Sequence, residues 1–119
     1  MLTREIANLD KIYRETFGLW MSSLFSAIEG NNENMRFEEQ KEAFFDILRL
    51  WLDEGKIKFC KPSDPLGEVW DVPGAVIVEY LRFHWPHRAA DPDDAELNIY
   101  FYEMPALLWV GSDGRLHGS

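Results

Sequence analysis

The amino-acid sequence predicts an α+β fold: two long antiparallel N-terminal helices and a third helix packed on one face of a small antiparallel sheet. Three observations predict it. Apolar residues recur at three- and four-residue steps through the first half of the chain. The second half carries alternating patterns broken by Pro and Gly. The link between the two helical stretches, Gly30-Asn-Asn-Glu-Asn34, is short and made of turn formers, which sets the helices antiparallel.

The first helix is expected from Thr3 to Glu29. Ile6, Leu9, Tyr13, Phe17, Trp20, Leu24 and Ile28 make one apolar stripe along it. Asp10–Arg14 and Lys11–Glu15 stand four apart and support its wet face. Gly18 sits in its middle, where it permits a bend or a close helix contact. The second helix is expected from Met35 to Glu54, burying Phe37, Phe44, Leu48, Trp51 and Leu52. Its opposite side carries Glu38, Glu39, Glu42, Asp46 and Asp53, and Gly55 ends it.

Lys56 to Cys60 alternates polar and apolar residues and reads as a strand with one wet face, and Glu68 to Asp71 as its hairpin return. Pro73 suits the first turn of the third helix. The β-branched run Val76-Ile77-Val78 would also suit a strand, but Val76, Ile77, Tyr80, Leu81 and His84 fit a helical face that ends before Pro86. Leu97 to Glu103 alternates, with Leu97, Ile99 and Phe101 on one side, and is read as a strand. Ala106 to Val110 reads as a central strand and Arg115 to His117 as the last one, after the turn Ser112-Asp113-Gly114. The expected order is α-α-β-(β)-α-β-β-β.

A chain of 119 residues with 46% apolar residues and five Trp suits one domain, residues 1–119, with one core. The formal charge is −9. Residues 1–60 hold 11 acidic and 8 basic residues, net −3, and residues 61–119 hold 10 and 4, net −6. Such a field repels a phosphate backbone and favours a basic protein partner. Two helices followed by a hairpin resemble a winged helix, but the would-be recognition helix carries acids that meet phosphates with the wrong sign. Cys60 is the single cysteine, which fits a reducing compartment. The charged N-terminal stretch has no hydrophobic signal region, and no apolar run reaches the length of a membrane span, so a cytoplasmic protein is expected.

The densest chemistry lies between His84 and Leu97, HWPHRAADPDDAEL. His84, His87 and Asp91 are of metal-ligating types, but Pro86 separates the histidines, and the acids lack the glycine and terminal glutamate of a calcium loop. Nothing apolar beside Asp91, Asp93 and Asp94 would raise one carboxyl for acid–base work. Neither a nucleophile elbow nor a phosphate loop is present. No metal, no cofactor and no catalysis are therefore expected. The remaining reading is a contact surface: Asp91, Asp93, Asp94 and Glu96 as an acidic rim, with Trp85 and Tyr100 as anchors. The acidic side of the second helix competes with it.

Glu54-Gly-Lys-Ile-Lys-Phe59, Trp85-Pro86, and Asp94 to Val110 with Asp113-Gly114 resemble a family of small bacterial proteins without assigned activity. Some of its members are similar to immunity proteins, which protect a cell from a toxin delivered by its neighbours. The resemblance implies a cytoplasmic toxin-neutralising protein that binds a basic toxin domain, such as a nuclease, and binds neither nucleic acid nor membrane. Two other classes stay open: a small metal protein or enzyme using His84, His87 and Asp91, and an adaptor that forms a homodimer through an aromatic face.

Overall fold

A computed structural model describes residues 8–32, 34–91 and 93–118. The elements run α1 (Leu9–Thr16), α2 (Met21–Gly30), α3 (Phe37–Asp53), β1 (Ile57–Lys61), β2 (Asp64–Val69), α4 (Gly74–Phe83), α5 (Ala95–Glu103), β3 (Leu107–Val110) and β4 (Leu116–Gly118). The strands form one antiparallel sheet in the order β2-β1-β3-β4. The α+β class and the antiparallel sheet are as expected. The order of elements is not, and two elements account for the difference.

The expected long first helix is two helices with a break between them. The expected residues Thr3 to Ala7 lie outside the described ones. The break centres on Gly18, whose φ of +82° is a left-handed conformation that glycine adopts at little cost. Phe17 and Trp20 on either side leave the helical region as caps. The carbonyl freed at Leu19 accepts the indole N–H of Trp109 at 3.0 Å, which ties the bend to β3. The ladder bond lost from the helix is thus replaced from the sheet.

The second difference is α5, which stands where a strand was expected. Leu97, Tyr100 and Phe101 are buried, while Ile99 and Tyr102 are exposed. Tyr100 and Phe101 are adjacent, so no strand could bury both on one face, whereas a helix places positions i, i+3 and i+4 together. Asp94 caps the helix by accepting the Glu96 N–H at 2.8 Å. Tyr100 donates its hydroxyl to the Leu81 carbonyl at 2.6 Å and so fixes α5 against α4. Burial pushes the Tyr100 phenol well above its usual range, so it remains a donor.

α3 follows the expectation closely. It buries Phe44, Ile47, Leu48 and Trp51. Glu39 accepts the Arg36 N–H at its start, satisfying one orphan donor. β1 and β3 pair with Ile57 opposite Trp109 and Phe59 opposite Leu107. These four are buried and form the sheet face turned to the helices, while Lys58 on the other face is exposed. Trp109 meets the rings of Tyr13, Phe17 and Trp51 there. α4 starts at Gly74, where a Cβ would lie 3.1 Å from the Leu52 Cβ and 2.9 Å from an Asp53 oxygen. A side chain at that position would push the start of α4 off the end of α3. Arg82 then joins α4 to α3 through Glu42 at 2.8 Å and lies 4.6 Å over the Phe45 ring.

Cys60 is buried, and its thiol donates toward the Gly67 carbonyl at 3.7 Å. Burial and the Asp64 charge raise the thiol above its usual pKa, which disfavours the reactive thiolate. Among the described residues no helix is long and apolar enough to cross a membrane.

Candidate functional site

The stretch from His84 to Asp94 connects α4 to α5, and its polar side chains are shared between structure and solvent. His84 ends α4, stacked 4.3 Å from the Tyr80 ring, with Nδ1 2.9 Å from the Tyr80 carbonyl. That contact assigns the proton to Nδ1 and commits this nitrogen to the backbone. His87 is exposed in the following turn. Among the described residues no group of three or more His, Cys, Asp or Glu side chains is placed to hold a metal ion.

The four acids divide into two pairs. Asp91 Oδ1 accepts the Asp93 N–H at 2.9 Å, and Asp94 Oδ1 accepts the Glu96 N–H at 2.8 Å. Asp91 thus closes the turn and Asp94 starts the helix, ordinary roles for short carboxylates. Asp93 and Glu96 are exposed, and their carboxylates are not used in this way. Asp94→Ala is expected to cost about 1 kcal/mol through loss of the cap, whereas Asp93→Ala should stay within about 0.5 kcal/mol of the parent. Urea denaturation of the two variants checks this. Equal costs would mean that the capping bond contributes nothing.

The sequence named two acidic surfaces, and ion pairing separates them. On α3 and just beyond it, Glu38, Glu39, Glu42, Asp53 and Glu54 pair with Lys41, Arg36, Arg82, Arg49 and Lys56. Among the described residues no ion pair involves Asp91, Asp93, Asp94, Glu96 or Glu103. The α3 charge is locally compensated, and the charge at both ends of α5 is not. Long-range attraction depends on uncompensated charge, so of these two surfaces the one at α5 contributes more of it.

The expected anchors lie elsewhere. Trp85 is 3% exposed and Tyr100 is 4% exposed. Trp85 packs among Phe25, Phe44, Phe45 and Tyr100 in the core. Neither side chain can contact a partner without leaving the core, because the helical turn of α5 directs Tyr100 inward. The same turn directs Ile99 (56% exposed) and Tyr102 (77%) outward. Tyr102 meets the ring of Trp20 at 6.0 Å, at the start of α2.

Trp20, Tyr102 and Leu66 from the β2 segment line a groove of about 340 Å³, open solvent included, over Met21, Phe101 and Leu107. Reading residues 97–103 as a strand concealed this groove. With helical spacing, Ile99, Tyr102 and Glu103 would have emerged as the outward positions. A second, shallower hollow lies at the α1–α2 bend and is lined by Glu15, Ser22, Ser23 and Ser26.

No protein-family model matches the chain, and no curated protein matches its sequence. Among solved structures, the fold is similar to an uncharacterised protein conserved in bacteria, from Neisseria meningitidis, with a TM-score of 0.66 and 24% identity. The match covers 90% of this chain and 79% of that one. At this identity the likeness concerns the fold alone.

Proposed function

We propose that the chain is a non-catalytic toxin-neutralising (immunity) protein that works in the cytoplasm. It binds a basic toxin domain, such as a nuclease, through the acidic surface around α5. The observation that carries this reading is the uncompensated charge of Asp91, Asp93, Asp94, Glu96 and Glu103, beside exposed Ile99 and Tyr102. Carboxylates without cationic partners attract a basic surface from a distance, and apolar side chains beside them hold it after contact. The same field opposes nucleic acid and anionic membranes as partners. The resemblance to small bacterial proteins, some similar to immunity proteins, points the same way.

Co-expression tests the reading. The protein is produced together with candidate toxin domains encoded by neighbouring genes. Growth should be restored, and the two chains should copurify. Persistent growth arrest with abundant folded protein would sink the proposal.

A further inference from the structure

We infer that the groove beside α5 receives one large apolar side chain from a lysine- or arginine-rich segment of a partner protein. This rests on the reading of the chain as a binder of a basic protein, and it names the part of that partner that is gripped. Three of the exposed large apolar side chains, Trp20 (47%), Leu66 (88%) and Tyr102 (77%), converge on this one concavity. Its floor includes Met21 and Leu107, 4% and 1% exposed, so an incoming side chain lands on an already packed base. The enclosed space, about 50 Å³, lies well below that of a small-molecule site. It suits one bulky side chain inserted from outside.

Charge around the groove selects the flanks of that side chain. The lining itself is uncharged. Glu103 stands between the lining residues Tyr102 and Met104, whereas Asp64, two residues before Leu66, turns its carboxylate back to the Glu68 N–H at 3.0 Å. Neither takes part in an ion pair among the described residues, whereas Lys61 is held by Glu68 at 2.7 Å. An apolar socket with an acidic margin at Glu103 complements a basic segment with an apolar centre. A second copy of this chain, itself at −9, would bring like charge to the same margin. Addition of a partner strand to β2 is opposed by Pro65, which lacks an N–H, and by the register shift between β1 and β2.

The test is an NMR titration of the intact protein with a short lysine-rich peptide carrying one central leucine. Two control peptides replace the leucine by glycine or the lysines by glutamates. The leucine peptide should shift the Trp20 indole and Tyr102 ring signals saturably. The glycine control should bind roughly tenfold more weakly or worse, the loss expected when a leucine is no longer buried. Added salt should weaken binding, and the glutamate control should not bind. Leu66→Ser and Glu103→Lys, both at exposed positions, should each reduce affinity while the fold is retained.

Shifts that fall elsewhere or do not occur would overturn the proposal. So would equal binding by the glutamate control. Shifts of Trp20 and Tyr102 that grow with protein concentration alone would also overturn it, by making a second copy the occupant. Rescue of growth by the parent protein is a separate readout. Its failure removes the neutralising reading and leaves the peptide result standing.

Discussion

Trp109→Ala is expected to cost about 3–5 kcal/mol, the range for deleting a large buried aromatic. The side chain is 0% exposed and meets Tyr13, Phe17 and Trp51, so its removal opens a cavity between α1, α3 and the sheet. A second effect adds to the cavity. The indole N–H bonds the Leu19 carbonyl, so truncation also strands that acceptor at the helix break. A loss of this size is a large share of the roughly 5–15 kcal/mol that holds a domain folded.

Trp109→Phe keeps one aromatic ring at the site but loses the indole donor and part of the ring volume. It should cost about 1–3 kcal/mol, from the smaller cavity together with the lost hydrogen bond to a partly exposed carbonyl. Urea denaturation followed by circular dichroism gives both values. An alanine variant within about 1 kcal/mol of the parent would mean that the bend is held by something other than this contact. Equal costs for the two variants would leave the cavity no role.

The same contact explains why part of the fold was legible in the sequence and part was not. α3 was readable because Phe44, Leu48 and Trp51 follow helical spacing and Gly55 stops the helix. These are local signals. The break at Gly18 also had a local signal, but a mid-helix glycine fits a straight helix at modest cost. The deciding partner, Trp109, is ninety positions away in the chain. α5 was misread for a different reason. Tyr, Phe and Ile favour strands, and three of its apolar residues alternate by chance. The contrary signals were present in Asp94 as a cap and in the adjacent buried pair Tyr100 and Phe101.

That misreading carried over to the site. The exposed acids of the α4–α5 connector were legible, because charge needs no knowledge of the fold. The burial of Trp85 and Tyr100 was not, because assigning a side chain to core or surface requires the correct period. Trp85 and Tyr100 went to the core, and Ile99, Tyr102, Trp20 and Leu66 took the surface. Leu66 could not have been found this way, since its neighbours in the groove come from α2 and α5.

Reversing the unused carboxylates, Asp93→Lys with Glu96→Lys, should slow association with a basic partner about 10–100-fold at low salt, as expected when electrostatic steering is lost. The choice of positions follows from their hydrogen bonds. Asp91 and Asp94 hold the turn and the start of α5, so lysine at either would disturb structure as well as charge. Asp93 and Glu96 have exposed carboxylates without those duties, and their reversal moves the net charge from −9 to −5 while leaving the cap in place.

Stopped-flow association with a toxin domain identified by the co-expression test is the measurement, repeated across salt. The parent rate should fall steeply as the Debye length shrinks to ~10 Å at 0.1 M. The variant rate should start lower and change less, so that the two converge at high salt. Dissociation should respond less than association, because charges at the margin of an interface act mainly on the approach. An equal reversal at Glu38 and Asp53 on α3 is the control. Those acids lie outside the proposed contact surface, so the same change in net charge should slow association less. If the α3 reversal slows it more, the partner approaches the α3 side, and compensation by neighbouring cations does not decide which surface steers.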